Sequence, residues 1–261
     1  MTAASAGSWL RPPEAGTDTG RLPNLVCLPW AGGSAASFRR WPGGLAGHAV
    51  VHRVQYPGRE SRFGEPPLTD PAAMAEEIAA ACAPLTAAPT VLFGHSMGAA
   101  LAFEAALRLE ERGCPPALVV VSGHPAPGRY RSRGVAASDD AALLDELDRL
   151  AGGPSILRTV PELRELLLPV VRADFALIES YAGASPPRTA VPLAVFHGAD
   201  DPDVDADGAA AWAGFTAGGR LAELRTFPGA HFYLDDDEAG VWSALTGLLR
   251  RHHRTAPHPI A

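Results

Sequence analysis

Short apolar runs alternate with longer segments of helical periodicity along most of the chain. The runs are rich in Val, Leu and Phe and are bounded by Gly, Pro or polar residues, which predicts buried strands. They lie at Asn24–Leu28, Val50–Val54, Thr90–Phe93, Leu118–Ser122, Leu193–His197 and Leu221–Phe227. Short apolar strands that alternate with helices predict the α/β class, with a mostly parallel sheet flanked by helices.

Helical segments fill most of the gaps between these strands. Apolar residues recur in them at the three- and four-residue spacing of one helix face. The predicted helices are Ala35–Leu45, Pro71–Leu85, Ala99–Arg112, Gly208–Phe215 and Glu238–Arg250. Gly113 directly follows the third of them, as expected of a glycine that ends a helix.

The segment between Ser122 and Pro192 has no strand pattern and interrupts the alternation. Two helices are predicted inside it, Asp139–Leu150 and Glu162–Tyr181, and Pro169 should kink or split the second one. We interpret this segment, at about residues 125–188, as a helical insertion that forms a lid over a functional site. An ordinary helical subdomain without gating is the alternative.

The most specific motif is Gly94-His95-Ser96-Met97-Gly98, which stands between a predicted strand and a predicted helix. A glycine-flanked Ser on a tight strand-to-helix turn is the nucleophile elbow of the α/β-hydrolase fold. Glycine is expected at both flanks because a Cβ there would collide with the neighbouring strand or helix. The alternative is a chance match in a chain with 27 Gly. The strand-to-helix context favours Ser96 as a nucleophile.

A Ser hydroxyl needs a general base, and in this fold the order along the chain is Ser, then acid, then His. His231 is the candidate base because it lies on the turn after the last predicted strand. That turn should lie at the same edge of the sheet as Ser96. The alternatives among the nine His are His95, His124 and His197.

The acid should follow the preceding strand, where Gly198-Ala199-Asp200-Asp201-Pro202-Asp203-Val204 forms an acidic turn. The G-x-x-D-P-x-V pattern selects Asp201, with the adjacent Asp200 as the alternative. The carboxylate would accept the second imidazole N–H of the base and stabilise the imidazolium. A merely solvated acidic turn is also open, since three further acidic residues follow at Asp203, Asp205 and Asp207.

Acyl transfer also needs N–H donors aimed at the developing oxyanion. One candidate is the backbone N–H of Met97, directly after the nucleophile. The other is the N–H of Ala31, in the loop after the first strand, where Gly32 and Gly33 allow a close approach. The same Gly-Gly loop could cradle a phosphate, but neither G-x-G-x-x-G nor a G-K-[ST] ending is present.

Composition narrows the class of protein further. Hydrophobic residues make up 47% of the chain and charged residues 20%, as in globular domains, and the net charge of −7 argues against a nucleic-acid partner. No apolar run approaches the ~20 residues that span a bilayer, and no secretory signal is visible. We therefore expect a cytoplasmic protein, monomeric by default and without a membrane partner. The scattered cysteines, which lack zinc or redox spacing, are Cys27, Cys82 and Cys114.

We expect a single domain over residues 21–250, between a flexible N-terminal tail at 1–20 and a flexible C-terminal tail at 251–261. Loose tails at both ends favour a discrete protein. His252, His253 and His258 could indicate a metal tract in the second tail. No Cys or carboxylate stands nearby, so a solvated tail without a metal site is expected instead.

Further motifs lie beside those already described, and the resemblance that they carry extends from about Pro23 to Leu249. They are Leu28–Gly33 with Phe38, Gln55–Glu60, Gly94–Ala99, Phe103-Glu104, Leu168–Phe175 and Gly229–Phe232. Together they resemble the type II thioesterases, the stand-alone editing hydrolases of polyketide and nonribosomal peptide synthesis. Gln-Tyr-Pro-Gly-Arg is far more specific than the elbow alone, and Leu168–Phe175 looks like the lid helix of the family. Ala230 departs from the pattern, in which a second Gly is common.

The resemblance implies a catalytic triad of Ser96, Asp201 and His231, with an oxyanion hole formed by Ala31 and Met97. The implied reaction is hydrolysis of an acyl thioester on the phosphopantetheine arm of an acyl or peptidyl carrier protein domain. It passes through an acyl-enzyme and requires no metal or redox cofactor. The task of the family is to clear stalled or mis-primed short acyl groups.

Docking of a carrier protein needs a local basic patch, because carrier proteins are usually acidic and this chain is acidic overall. Candidate residues stand at the start of the insertion, at Arg129, Arg131 and Arg133. A solvated loop is an equal alternative.

Three other functions compete with this interpretation. A carboxylesterase or lipase would cleave free small esters and be indifferent to a carrier. A non-catalytic carrier-binding protein on a hydrolase fold would leave Ser96 unreactive toward a fluorophosphonate. A chain-releasing thioesterase would be a fragment of a larger synthase.

Overall fold

The computed structural model describes residues 9–13 and 22–252. Its centre is a seven-stranded sheet in the order β1-β3-β2-β4-β5-β6-β7, in which β1 is antiparallel to β3 and the other pairs are parallel. The strands are β1 Leu10–Arg11, β2 Asn24–Leu28, β3 Val50–Val54, β4 Thr90–His95, β5 Leu118–Ser122, β6 Leu193–Gly198 and β7 Glu223–Phe227. The predicted α/β-hydrolase fold is therefore confirmed at the level of architecture.

The four central strands are buried along their whole length, which explains why they read as continuous apolar runs. β4 lies in the middle of the sheet, between β2 and β5, and carries the elbow at its carboxyl end. Loops that follow β2, β4, β5, β6 and β7 meet at this same edge because the strands are parallel. The candidate site residues Ala31, Ser96, Asp201 and His231 follow β2, β4, β6 and β7, respectively.

Nine α-helices are present in the described residues. They are α1 Trp41–Gly44, α2 Pro71–Cys82, α3 Met97–Glu111, α4 Asp140–Ala151, α5 Ile156–Thr159, α6 Pro161–Ser180, α7 Ala206–Ala210, α8 Tyr233–Asp236 and α9 Glu238–His252. One hydrophobic cluster packs α2, α3 and α6 on one face of the sheet, and a second packs α1 and α9 on the other. None of the helices in the described ranges has the length and hydropathy needed to cross a membrane.

The helix predictions differ from the structure mainly at Pro and Gly. The predicted helix at 35–45 is a 3₁₀ turn, Ala35–Phe38, followed by the short α1, because Pro42 and two glycines lie in its second half. Pro169 lies inside α6, which nevertheless runs unbroken from Pro161 to Ser180, so the predicted split is absent. Gly113 has φ +72° and follows α3 as predicted.

The tail predictions need correction at both ends. Leu10 and Arg11, inside the predicted tail at 1–20, pair with β3 and place Trp9 in the core. The buried indole packs under the Arg62 guanidinium, 4.3 Å from the ring centroid, which explains why this segment is held. At the other end α9 continues to His252, and His253 and His258 lie outside the described residues.

The interruption between β5 and β6 is helical, as predicted. It contains α4, α5 and α6, and salt bridges between Arg158 and Asp148, and between Arg172 and Asp140, hold these helices together. Asp139 caps α4 by accepting from Ala142 N–H at 2.9 Å. We name residues 125–188 the insertion; that it opens as a lid stays a prediction.

Candidate active site

Ser96 stands at the junction of β4 and α3 with φ +53° and ψ −121°, a conformation rarely adopted by residues other than Gly. A Cβ on Gly94 would lie 1.9 Å from the carbonyl oxygen of Gly98, and a Cβ on Gly98 would lie 2.2 Å from that of Leu28. Side chains are thus excluded at both flanking positions. The elbow deduced from the sequence is present, and it raises Ser96 at the carboxyl edge of the sheet.

His231 and Asp201 meet at this edge from the loops after β7 and β6. His231 Nδ1 lies 2.9 Å from Asp201 Oδ2, and both side chains are buried. The backbone N–H of Asp203 donates to the other carboxylate oxygen at 2.9 Å, which fixes the rotamer of Asp201. The neighbouring Asp200 is exposed, so the structure pairs His231 with Asp201 and not with Asp200.

Electrostatics favours an ionised Asp201. Burial opposes ionisation most strongly, but the hydrogen bond and charge of His231 and two backbone N–H groups outweigh it and lower the pKa of Asp201 below its usual value. An ionised carboxylate accepts from Nδ1–H, which leaves Nε2 of a neutral His231 as a base. This Nε2 is buried and makes no hydrogen bond with any described residue, Ser96 included. Catalytic hydrogen bonds of this kind commonly tighten only with bound substrate.

Two alternative bases have structural roles. His95 lies under the elbow, where Nδ1 is 2.8 Å from Ser122 Oγ, and burial holds the pKa of its ring well below the usual range. A Cβ on Gly123 would lie 2.5 Å from this ring, which shows how tightly it is enclosed. His197 bonds the Gly198 carbonyl and the Thr226 hydroxyl, so both of its ring nitrogens are satisfied within the sheet.

His124, the third alternative, forms part of the pocket wall. Its Nδ1–H donates to the Pro125 carbonyl at 2.7 Å, and its ring stacks on Tyr130 at a centroid distance of 5.2 Å. Burial lowers the pKa of His124 to about 4, so the ring is neutral at neutral pH. The sequence predicts His124 only as an alternative base and does not predict that it lines the pocket. No sequence motif around His124 indicates this role.

Ala31 and Met97 lie where N–H donors for an oxyanion are needed. Met97 is the first residue of α3, so its N–H has no acceptor within the helix. Ala31 lines the same pocket as Ser96 and His231. The loop that carries Ala31 is held from below by the Tyr56 hydroxyl, which donates to the Pro29 carbonyl at 3.1 Å. The geometry therefore brings all five predicted site residues to one edge of the sheet.

The pocket is closed above by the insertion. About 50 Å³ is accessible to the centre of a water molecule, next to Ser96, Ala31 and His231. The residues that α4 and α6 contribute to its wall are Glu146, Leu147, Leu150, Phe175 and Ile178. Arg149 donates to Glu146 and to Asp203 at 2.7 Å, so its single positive charge offsets part of the charge of the two carboxylates in the wall. The resulting cavity is small and largely apolar.

A second cavity of about 530 Å³ opens beside the first and shares Tyr130 with it. Arg129, Arg131 and Arg133 line this outer cavity together with Asp201 and Asp203. Arg133 lies 3.7 Å from carboxylate oxygens of both Glu146 and Asp203. Arg129 and Arg131 are exposed and form no ion pair with any described residue.

Comparison with known proteins decides the family. A model described as "Thioesterase domain" matches residues 23–253, which is nearly the whole described part of the chain. The chain belongs to the thioesterase family. The resemblance drawn from the sequence motifs is confirmed, and this thioesterase is a thioester hydrolase with an α/β-hydrolase fold.

Relatives of this thioesterase are themselves named as thioesterases, two of them after a biosynthesis or a biosynthetic cluster. It is 40% identical over 256 residues to the "Probable cadicidin biosynthesis thioesterase" of Streptomyces griseus, covering 97% of this chain and 69% of that protein. It is 37% identical to thioesterase PikA5 of Streptomyces venezuelae, covering 87% and 80%. Among solved structures, the type II thioesterase BorB from the borrelidin biosynthetic cluster is 35% identical with a TM-score of 0.78, covering 96% of this chain and 98% of that one.

Proposed function

We propose that this thioesterase hydrolyses aberrant or stalled acyl groups from the phosphopantetheine arm of acyl or peptidyl carrier proteins in polyketide or nonribosomal peptide biosynthesis. The single observation that carries the chemistry is the buried His231–Asp201 pair, 2.9 Å apart, whose His231 lines one pocket with Ser96. The pathway is inferred from the similarity to thioesterases named for a biosynthesis or a biosynthetic cluster, and the carrier from the resemblance to type II thioesterases.

In the acylation step Ser96 Oγ attacks the thioester carbonyl carbon while His231 Nε2 takes the hydroxyl proton. Asp201 accepts from Nδ1–H and stabilises the imidazolium that forms. The tetrahedral intermediate places its oxyanion between the N–H groups of Ala31 and Met97. Collapse breaks the carbon–sulfur bond, His231 returns the proton to the departing thiolate, and the acyl group remains on Ser96.

Deacylation repeats the same proton path with water as the nucleophile. His231 Nε2 takes a proton from the water as its oxygen attacks the ester carbonyl of acyl-Ser96, and then gives that proton back to Ser96 Oγ. The free acid leaves and the enzyme is regenerated. The reaction as proposed uses no metal or redox cofactor.

The shape of the pocket supports short acyl groups as substrates. A single water needs about 10–15 Å³ of accessible volume by this measure, so about 50 Å³ beside Ser96 holds only a few heavy atoms. Longer chains would have to displace Leu147, Leu150 or Phe175 of the insertion. An enzyme with this pocket removes acetyl- or propionyl-sized groups in preference to long ones.

The outer cavity is the proposed docking site for the carrier. Arg129 and Arg131 present cationic groups beside the entrance to the pocket, while the chain as a whole carries a net charge of −7. Three aspartates, Asp201, Asp203 and Asp205, line the same cavity, so the cavity as a whole is not positively charged. The guanidinium groups of Arg129 and Arg131, which form no ion pair with described residues, would steer an acidic partner to one orientation. Tyr130 lies between these arginines in sequence and contributes to both cavities, which connects docking to the site of reaction.

Hydrolysis of a matched panel of substrates tests the function. Acetyl, propionyl and octanoyl groups are each presented on a carrier protein, on a pantetheine mimic and as a simple ester, with Ser96→Ala as the control. We expect the carrier-bound short thioesters to have the highest kcat/KM and the variant to be inactive. Better cleavage of simple esters would identify a carboxylesterase, and a wild-type protein that cleaves nothing would identify a carrier-binding protein.

Charge reversal on the docking patch tests the partner. Arg129→Glu and Arg131→Glu should each raise KM for the acyl carrier protein by about fivefold at low salt. This factor corresponds to the loss of one surface ion pair worth about 1 kcal/mol. KM for the pantetheine mimic should stay unchanged. Arg188→Glu, an exposed change of equal charge just before β6, is the matched control and should leave both constants unaltered. Equal effects of Arg131→Glu and Arg188→Glu would contradict docking at this patch.

A further inference from the structure

An ion pair inside the protein joins the insertion to the loop that carries Ala31. The two nitrogens Nη1 and Nη2 of Arg59 donate to Oδ2 and Oδ1 of Asp174, each at 2.7 Å. Arg59 is 4% exposed and Asp174 is fully buried. Asp174 lies in the middle of α6, and Arg59 follows β3, so 115 residues separate them along the chain.

Both partners of this pair also bond the backbone next to Ala31. The Gly32 N–H donates to Asp174 Oδ2 at 2.7 Å, and Arg59 Nη1 donates to the Gly33 carbonyl at 2.9 Å. One peptide donor and one peptide acceptor of the loop are therefore fixed by two charged groups. Charge-assisted bonds of this length are about twice as strong as neutral ones.

Burial of this pair is poorly explained as a contribution to stability. Removing two charges from water costs several kcal/mol for each ion, and an apolar pair of similar volume is often equally or more stable. What an apolar pair lacks is the ability to hold peptide groups in place. Within the described residues, every side-chain hydrogen bond that the pair makes outside itself goes to backbone: to the Gly33 carbonyl and the Gly32 N–H near Ala31, and to the Pro57 carbonyl near Arg59.

Direct packing reinforces the connection between α6 and the loop. Gly32 has φ +77°, and a Cβ there would lie 3.1 Å from Val171 Cγ2, on the same helix as Asp174. The Glu60 carboxylate accepts from Ala36 N–H at 3.0 Å and fixes the far end of the loop. We name Pro29–Ala36 the oxyanion loop. Residues 55–60 hold it from one side and α6 from the other.

We propose that Arg59 and Asp174 are positioning residues that set the oxyanion loop, and with it the N–H of Ala31, through α6 of the insertion. This inference rests on the proposed function, since it takes Ala31 N–H as an oxyanion donor.

The test replaces the pair without leaving a buried charge. In the double variant Arg59→Met with Asp174→Leu, both charges are removed and the volume is approximately kept, so the fold should persist. The Gly32 N–H and the Gly33 carbonyl lose their partners and the loop shifts. We expect kcat to fall by about 100-fold, which is the lower end of the range of effects seen when one oxyanion donor is removed. KM should stay within threefold of the wild-type value.

A second, conservative variant keeps the charge. Arg59→Lys retains a cation but cannot reach both carboxylate oxygens and the Gly33 carbonyl at once. Its kcat should fall by about tenfold, between the wild type and the double variant. The readout that a purely structural role would not change is binding of a trifluoromethyl ketone analogue, whose adduct with Ser96 carries an oxyanion. Its affinity should fall in proportion to kcat, while affinity for the product acid stays constant.

Arg172→Met is the matched control on the same helix. Its guanidinium donates to the carbonyls of Ala136 and Ser138 and pairs with Asp140, all inside the insertion and away from the oxyanion loop. We expect kcat within twofold of the wild type and unchanged affinity for the ketone.

Three results would overturn the proposal. The first is a folded double variant with kcat within threefold of the wild type. The second is loss of affinity for the ketone and for the product acid alike. The third is failure of both the double variant and Arg59→Lys to fold, which would assign the pair to stability alone. A wild-type protein that neither hydrolyses thioesters nor binds the ketone would instead refute the proposed function.

Discussion

The buried ring of His124 should make the stability of this protein depend on pH. Burial lowers the pKa of His124 to about 4, against an ordinary value of about 6.5 in the unfolded chain. Between these values the unfolded state binds more protons than the folded state. The contribution of His124 to stability is therefore complete above pH 6.5 and is lost as the pH falls toward 4.

The size of the effect follows from the two pKa values. At pH 4.5 the unfolded ring is almost fully protonated and the folded ring about one quarter protonated. The free energy of unfolding should then fall by about 2.5 kcal/mol between pH 7.5 and pH 4.5 through this group alone. His124→Phe keeps a ring against Tyr130 and removes the titrating group. Between pH 7.5 and pH 4.5 the variant should therefore lose about 2.5 kcal/mol less free energy of unfolding than the wild type.

Urea unfolding at pH 7.5 and pH 4.5, followed by tryptophan fluorescence, measures the difference. Phe103→Leu is the control, because Phe103 is buried against the Trp212 ring and does not titrate. It should lower stability at both pH values but keep the wild-type pH dependence. If His124→Phe loses as much stability as the wild type between the two pH values, the argument from burial is wrong.

Two further changes test the elbow and the acid. Asp201→Asn should lower kcat by about 10⁴-fold with little change in KM, because the amide no longer fixes the His231 tautomer, while the exposed Asp200→Asn should stay within twofold in the same assay. Gly98→Ala should lower the free energy of unfolding by about 3 kcal/mol or more, since its Cβ would meet the Leu28 carbonyl at 2.2 Å. Gly43→Ala, with nothing within 4 Å of its Cβ, should be nearly neutral in urea unfolding. Comparable losses in Asp200→Asn or Gly43→Ala would contradict these two arguments.

Much of the fold could be predicted because its signals are local. The central strands are buried on both faces and appear as unbroken apolar runs, and the elbow is contiguous in sequence. The pairing of His231 with Asp201 followed from the order of residues along the chain and from the turn after β6. A few adjacent residues carry the pattern of each strand and of the elbow, whereas the triad also needed the chain order that the fold imposes.

Features that depend on distant contacts were not predictable. Arg59 and Asp174 lie in two of the motifs that carry the resemblance, but 115 residues separate them and nothing in the sequence indicates that they pair. β1 has only two residues, too few for periodicity, and is held by contacts of Trp9 with the core. The unbroken course of α6 past Pro169 likewise reflects packing of that helix on the core, which local propensity does not register.

The backbone of Ser96 has a consequence for how this protein evolves. A residue with a side chain at φ +53° costs about 1–3 kcal/mol relative to an unstrained position, and only Gly would relieve it. At position 96, selection for stability thus favours Gly, whereas selection for catalysis favours Ser. A lineage released from the need to hydrolyse thioesters should lose its Ser here early and gain stability by doing so. Selection for stability alone would therefore not keep a Ser at this strained position.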